Sequence, residues 1–425
     1  MKKITEDADR FLRSIGMHPD FTDIGKLIEE YRSEMDRGLR GENSSLEMIP
    51  TYIAYEGEVP DREPVIAIDA GGTNLRIGLV TFSDGVPCLS KVAKYAMPGS
   101  HGEIGAEEFF DELADKILPL TGESDKIGFC FSYPAEILPD CDGKILCLTK
   151  KEVCVRNAEG IIIGRKLGEK LREKGSDKSF KTIILNDTVA SLMGGIATLR
   201  LSDCDGLAGL ILGTGNNTCY TEKGEKIKKL KNAKDMIINC ESGNFSKAYL
   251  GISDKNMDLN SDNPGGFLFE KMLSGVYHGK VITNTAALAA SEGLLSGAFG
   301  EVLPPFTTPE LDDFLRGVDN RAAKICSGDD AEVLRYIIDE SFERAAKLVC
   351  ANISALMLHC DGGKTAEKPF CVVAEGSTFY NSLLFRGKLD KYVESYIEGE
   401  LSRHVVFRGG ENLTLTGAAL AALLN

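Results

Sequence analysis

At 425 residues, with 43% hydrophobic and 27% charged side chains, the chain exceeds the size at which a single core keeps growing, so two domains with a ligand cleft between them are expected. The 64 acidic residues outweigh the 49 basic ones, giving a net charge of -15 with no dense basic run, which argues against nucleic acid or an anionic membrane as partner. The longest apolar run, 415–424, is far short of the roughly 18 to 20 residues a membrane helix needs, and the amino terminus turns acidic at once, so a cytoplasmic protein is expected.

In chain order, Phe11 and Ile15, then Leu27, Ile28, Tyr31 and Met35, fall at helical spacing interrupted by His18-Pro19, which predicts two surface helices within the first 40 or so residues. The apolar stretch 65–82 follows, broken by Gly71-Gly72-Thr73-Asn74, and reads as two strands joined by a glycine turn. A helix over 106–118, a strand over 126–132, a helix over 163–174, a strand over 181–185 and a helix from Asp187 to about 199 come next. Residues 207–221 then repeat strand, glycine-rich turn and strand, so the pattern predicts a duplicated α/β architecture with one such turn per half. Beyond it the periodicity predicts an amphipathic helix over 267–277, a long helix over 330–358, a surface loop over 359–368, a strand over 370–374 and a terminal helix from about Thr416.

The first turn carries chemistry. Paired glycines let backbone N–H groups approach a phosphate; Asp69 can orient a hydrated Mg²⁺, Thr73 and Asn74 can bond phosphate oxygens, and Arg76 adds a positive fork. The segment lacks the Gly-Lys-Ser/Thr of a Walker loop and the Gly-x-Gly-x-x-Gly of a dinucleotide turn. Asn186-Asp187 ends an apolar strand and opens a helix, the place where α/β proteins hold ligands, so Asp187 is either a general base toward a hydroxyl or simply a helix cap. Ser132, Thr149-Lys150, Asn217 and Glu241 also stand beside strand ends or glycine turns, and such groups together offer the donors and acceptors a sugar ring requires. Glu270, on the predicted amphipathic helix, reads by itself as part of a wet face. The 12 cysteines form no Cys-x-x-Cys pair, and residues such as Cys130, Cys219, Cys350 and Cys371 read as reduced, buried hydrophobes. The five histidines are dispersed and suggest no metal site or Ser-His-Asp triad.

Taken together, in order from about Ser45 to the carboxyl terminus, these segments resemble the hexokinase family of the actin-like ATPase superfamily. Leu46-Glu-Met-Ile-Pro-Thr-Tyr-Ile53 is similar to the family's opening segment, Asp69-Ala-Gly-Gly-Thr-Asn-Leu-Arg76 to its first phosphate loop, and Phe129-Cys-Phe-Ser-Tyr-Pro134 with Leu148-Thr-Lys150 to its sugar segment. Leu185-Asn-Asp-Thr-Val-Ala190 resembles the catalytic strand and Leu212-Gly-Thr-Gly-Asn-Asn217 the second phosphate loop. The segments 239–245 and 263–275 resemble those bringing acidic sugar ligands, and Glu375-Gly-Ser377 the adenosine-side turn.

The resemblance implies a two-lobed actin-like (ribonuclease H-like) α/β fold, with duplicated mixed sheets flanked by helices and a cleft that closes on the sugar. The small lobe would be 62–187 plus 413–425 and the large lobe 1–61 plus 188–412. It implies ATP-dependent phosphorylation of a hexose 6-hydroxyl, with glucose expected first and fructose and mannose as alternatives. Asp187 would be the base, and Lys150 and Arg76 would offset charge on the transferred group. Ser132, Tyr133, Thr149, Lys150, Asn186, Asp187, Asn217, Glu241 and Glu270 would surround the sugar. Asp69, Ala70, Gly71, Gly72, Thr73, Asn74, Arg76, Thr214, Gly215, Gly275, Gly376 and Ser377 would lie around ATP, with Asp69 near Mg²⁺ through water. A monomer or homodimer is expected. The chain departs from the family pattern at Leu148 and Ser242, where the family usually has Trp, at Lys151-Glu152 and Gly266-Phe267, and at Asn412-Leu-Thr-Leu-Thr416, where it has a glycine-rich approach to the last helix. These departures bear on which sugar is preferred. They also keep open a hexokinase-like sensor that binds hexose without turnover, while an actin- or chaperone-like ATPase would leave the ordered sugar ligands unexplained.

Overall fold

The structure of the chain, a computed structural model, describes residues 2–149, 153–199 and 201–425. Two helices open it, α1 (Lys2–Ser14) and α2 (Ile24–Arg40), separated by a 3-10 turn at Pro19–Phe21. Pro19 has no N–H to continue a helix, and Asp23 then caps α2 by accepting the Lys26 N–H at 3.0 Å. After β1 (Ile49–Pro50), the first glycine turn joins β2 (Val65–Gly71) to β3 (Asn74–Ser83), and β4 (Val86–Ala96) completes a meander. There follow α3 (Ala106–Ile117), β5 (Lys126–Phe131), α4 (Ile163–Glu173), β6 (Lys181–Leu185) and α5 (Asp187–Ile196). The second glycine turn joins β7 (Leu207–Leu212) to β8 (Asn216–Glu222), again with a third strand, β9 (Met236–Asn239). Helices α6 (Ile252–Leu259), α7 (Leu268–Leu273), α8 (Gly275–Ser291), α9 (Thr308–Leu315), α10 (Arg321–Ile325) and α11 (Asp330–His359) lead to β10 (Phe370–Glu375). The chain ends with α12 (Ser377–Asn381), α13 (Phe385–Tyr392), β11 (Val405–Arg408) and α14 (Leu413–Leu424).

The strands form a five-stranded sheet in the order β6-β5-β2-β3-β4 and a six-stranded sheet in the order β1-β9-β8-β7-β10-β11, so each glycine hairpin heads a run of three consecutive strands in its own sheet. That is the duplicated α/β arrangement the sequence predicts. The chain divides into two compact units, one of Met1–Met48, Leu210–Thr218 and Cys240–Val406, the other of Ile49–Gly209, Cys219–Asn239 and Phe407–Asn425.

In the unit containing the five-stranded sheet, Ile66, Ile68, Ile77, Phe129 and Phe131 pack with Phe109, Phe110 and Leu113 of α3 and Leu167 and Leu171 of α4 into one apolar core. Helix α14 is buried from Leu413 through Ala422 in the same unit. It lies so close to the sheet that a Cβ on Gly128 of β5 would collide with the Ala418 carbonyl. In the other unit the 30-residue α11 carries an almost continuous buried face from Arg344 to Met357.

Three expectations are corrected. The helix expected over 267–277 is two helices. It breaks at Ser274, whose ψ of 156° is extended, because the Gly275 N–H turns to the Gly213 carbonyl at 2.7 Å instead of continuing α7. The terminal helix starts at Leu413, three residues before Thr416. In the loop 359–368, Gly362 and Gly363 are buried; the Gly363 carbonyl accepts the His404 N–H at 2.7 Å, so only the tip is a surface insertion. All 12 cysteines are free thiols, and Cys130, Cys219, Cys350 and Cys371 are buried as expected, although Cys88 and Cys147 are exposed. Among the described residues no helix is long and apolar enough to cross a membrane.

Candidate functional site

Strands β2, β5 and β6 run parallel, with Asp69 paired to Cys130 and Leu185 paired to Cys130, so their carboxyl ends bring Asp69, Ser132 and Asn186-Asp187 to one end of the sheet. This is where open α/β sheets bind ligands. Burial pushes the Cys130 thiol far up, and the carboxylates of Asp69 and Asp187 both add to that rise, so the fields of the two acids converge on one sulfur. The helix cap is Asn186, whose Oδ1 accepts the Val189 N–H at 2.9 Å. Asp187 is therefore the first helical residue, its Oδ1 accepting the Thr188 N–H at 2.7 Å.

The glycine turn is a two-residue hairpin closed by the Gly71–Asn74 pair, with Gly72 at φ 55° and the Gly72-Thr73-Asn74 tip exposed. Directly across the hairpin from Asp69 lies Arg76, whose Nη2 reaches Asp69 Oδ2 at 2.5 Å and whose Nε reaches it at 3.1 Å. Thr414 donates to the same oxygen at 2.9 Å and accepts from Arg76 Nη2 at 2.9 Å, while Asn412 Oδ1 accepts from Arg76 Nη1 at 3.2 Å. Arg76 is thus a charge already paired to Asp69. Tyr133, expected beside a sugar, is buried against Phe131 with ring centroids 5.1 Å apart, and its hydroxyl donates to the Gly72 carbonyl at 2.5 Å, so it braces the hairpin. Ala70 holds the start of the sugar segment, its carbonyl accepting the Ser132 N–H at 3.1 Å. Thr149 is exposed and bridges to Cys154. Lys150 lies outside the described residues.

The other unit gathers the remaining candidates. Glu270 Oε2 accepts the Asn216 N–H at 2.9 Å, and a Cβ on Gly215 would sit 2.7 Å from that oxygen, so the bare Gly215 leaves the carboxylate room at the second glycine turn. Asn217 Oδ1 accepts the N–H groups of Thr218 at 2.7 Å and Ser242 at 3.1 Å, which fixes the segment carrying Glu241. Glu241 itself adopts a left-handed backbone, φ 53° and ψ 48°, a strained choice for a residue with a Cβ. Asn217, Glu241 and Glu270 thus belong to one cluster. A few residues away, the Gly213 carbonyl accepts from Gly275 N at 2.7 Å and Thr378 Oγ1 at 3.1 Å. That brings Thr214, Gly215, Gly275, Gly376 and Ser377 together around the turn. Gly376, at φ 120°, leaves no room for a Cβ against the Leu212 carbonyl.

Two family models, each described as Hexokinase, match residues 10–197 and 207–424. The chain belongs to the hexokinase family. Curated hexokinases similar to it include Hexokinase-5 of Oryza sativa subsp. japonica, 28% identical over 92% of this chain and 84% of that protein. Hexokinase-3 of Homo sapiens is 29% identical over 84% of this chain, which spans only 41% of the human protein's length. Among solved structures, the hexokinase from Schistosoma mansoni complexed with glucose superposes with a TM-score of 0.79 at 23% identity, covering 99% of each chain. A second hexokinase crystal structure gives 0.80 at 20% identity over the whole of both chains. These likenesses establish the actin-like ATPase fold of the hexokinases for this chain.

Within that fold, sequence reasoning missed Thr414 and Asn412, which supply partners to Asp69 and Arg76. The available signal was Thr414 in a helix apolar but for it and Thr416, a hydroxyl that must find a partner once buried. It also missed Thr378 and Ser242, which hold the second turn and the Glu241 segment from behind.

Proposed function

We propose that this hexokinase-family chain transfers the γ-phosphoryl group of ATP to the 6-hydroxyl of a hexose, glucose first and fructose or mannose as alternatives, with Asp187 as the general base. The observation that carries the reading is the division of labour at the start of α5: Asn186 satisfies the helix cap, so Asp187 is not needed for it and stands at the carboxyl end of the sheet beside Ser132 and Asp69. In the reaction the Asp187 carboxylate takes the hydroxyl proton as the sugar oxygen bonds to phosphorus. The bond from phosphorus to the bridging oxygen breaks, and ADP leaves. Ser132, Thr149, Lys150, Asn186, Asn217, Glu241 and Glu270 would bind the sugar hydroxyls, and the two glycine turns with Gly376 and Ser377 would hold the nucleotide.

Asp69 fits an outer-sphere role toward Mg²⁺. Its Oδ2 is held by Arg76 and Thr414, its Oδ1 lies on the Gly71 side of the hairpin, and a hydrated Mg²⁺ commonly uses one or two carboxylates with substrate phosphates. No group of three or more His, Cys, Asp or Glu suited to a metal exists among the described residues, so the phosphates would supply most of the ligands. When bound with the nucleotide, the ion would neutralise charge on the phosphate oxygens. The lobe division stated above and a cytoplasmic location are part of the same proposal.

The test is ADP release from Mg-ATP by the wild type and by Asp187→Ala, with glucose, fructose, mannose, N-acetylglucosamine or no sugar. The expected outcome is sugar-dependent turnover that falls about a thousandfold in the variant while sugar still binds. ADP release unaffected by every sugar would overturn the kinase reading; hexose binding by calorimetry without turnover would identify a sensor.

A further inference from the structure

The three candidate sugar ligands Asn217, Glu241 and Glu270 come from three separate segments, and behind them stands a residue the reaction does not use. Tyr31 of α2 is 2% exposed. Its ring packs on Phe245 at 4.7 Å between centroids and on Phe269 at 6.4 Å, and those two rings meet edge to face at 5.7 Å. Its hydroxyl lies 3.5 Å from Thr218 Oγ1, with the side chains of Ser242 and Asn352 near enough to weigh against the effect of its burial. Burial pushes the phenol far up, so it stays a neutral hydroxyl able to donate and to accept. Asn352, 2% exposed, has no hydrogen-bond partner for its amide nitrogen or oxygen among the described residues.

Each of these neighbours adjoins a candidate ligand in sequence. Thr218 follows Asn217, Ser242 follows Glu241, and Phe269 precedes Glu270. Ser242 is fully buried, donates its N–H to Asn217 at 3.1 Å and takes a bond from Asn216 Nδ2 to its hydroxyl at 3.4 Å. One phenol and one ring therefore touch all three segments from the interior side. A left-handed Glu241 persists only where its surroundings over-determine it, and this network is what surrounds it.

We propose that Tyr31 is a positioning residue for hexose binding: its hydroxyl, through Ser242 and Thr218, and its ring, through Phe245 and Phe269, set the mutual placement of Glu241, Asn217 and Glu270. The proposal rests on the hexose-kinase reading. It assigns to a small Ser242 and the aromatic group behind it the support of the turn that carries Glu241. Removing the hydroxyl while keeping the ring shifts the ligands without deleting any of them.

The experiment compares wild type with Tyr31→Phe in steady-state kinetics varied separately in hexose and in Mg-ATP, with hexose binding by calorimetry and folding checked by circular dichroism. The expected result is a hexose KM and Kd raised about tenfold, the size of effect a small misplacement of binding groups produces, with kcat and the KM for Mg-ATP within about twofold. Ser242→Ala, which removes one hydroxyl from the same network, is expected to move hexose KM in the same direction and serves if Tyr31→Phe does not fold. A folded Tyr31→Phe with unchanged hexose KM and Kd, or with both substrates weakened equally, overturns the proposal while leaving the kinase reading intact. A wild type that binds hexose without turnover leaves the Kd comparison as the deciding measurement. A wild type that neither binds nor phosphorylates any hexose overturns both.

Discussion

Around Asp69 the fixing partners are charged or polar side chains: Arg76 across the hairpin and, from the far end of the chain, Thr414 of the last helix and Asn412 just before it. Around Glu241 they are backbone N–H groups, neutral amides and a phenol, and the backbone itself is held in a left-handed conformation. The first arrangement fixes a carboxylate by neutralising it, so its rigidity depends on charge and on the seating of α14. The second fixes by geometry the backbone that carries a carboxylate. On the proposed reading, a group that meets phosphate and metal gains from a paired positive fork, whereas one that accepts sugar hydroxyls gains from a fixed backbone that aims it.

Unseating α14 is the strongest way to break that comparison. Gly128 and Gly417 allow the helix to rest directly on β5 and α5, since a Cβ at either would strike the carbonyl of Ala418 or Ala190. Gly128→Ala is expected to cost about 3 kcal/mol or to prevent folding of this unit, because backbone on both sides leaves nothing flexible to yield. Chemical denaturation would measure it; a loss under about 0.5 kcal/mol would show that the helix can move aside. A finer cut is Thr414→Val, which keeps the shape and removes the hydroxyl that donates to Asp69 and accepts from Arg76. It should cost about 1 to 2 kcal/mol and weaken Mg-ATP more than hexose, read from the two KM values. Equal weakening of both would deny the Asp69 group its special link to the nucleotide.

The same contrast explains how much was legible in the sequence. Both glycine hairpins, the Asn186-Asp187 strand end and most element bounds were readable, because strand periodicity, paired glycines and polar residues after apolar runs are local signals. The break at Ser274 was not, since the competitor that stops α7 is the Gly213 carbonyl some sixty residues earlier, a tertiary partner invisible to helical periodicity. The contact that Glu270 makes was hidden for the same reason. Its Glu-Lys neighbourhood looks like an exposed helix face, yet Lys271 is buried against Asp258 at 2.5 Å and Glu270 is turned to the Asn216 N–H. Arg76 read correctly as a positive fork, but the sequence could not show that Asp69 and Thr414 already occupy it.

On the Glu241 side the informative variant gains stability. Glu241→Gly relieves a left-handed backbone that a side chain disfavours by about 1 kcal/mol, and so should raise the melting temperature slightly while hexose affinity falls. Stability and affinity moving apart is the signature of strain kept for function. If the variant loses both together, the turn is held for folding alone, and the geometric account of this cluster fails.

The unit bearing Glu241 does contain crowded carboxylates, and they sharpen the contrast because they lie in a different cluster, between α1 and α11. Glu340, with an 18% exposed side chain, is pushed up to about 7 by burial first, then by Asp339, Glu343 and Asp9, with Lys388 opposing. The groups facing it are Asp9 and Arg13 of α1, His18 of the connecting turn, Tyr336 and Glu343 of α11, and Lys388 and Tyr392 of α13. The ordinary value is 4.5, so between that and about 7 the native chain keeps a proton that the unfolded chain has lost. This contribution is complete below 4.5 and disappears as pH rises through 7. His18, lowered by burial, has the opposite slope below its ordinary 6.5, so only the difference between wild type and Glu340→Gln isolates the carboxyl. Gln cannot lose a proton. Allowing for screening at a partly exposed site, Glu340→Gln should gain about 1 kcal/mol over wild type between pH 5 and pH 8, measured by urea denaturation at both, with hexose KM unchanged. Parallel stabilities at the two pH values would mean that Lys388 keeps Glu340 ionised throughout, and that this unit, like the other, settles its crowded acids by pairing them with a cation.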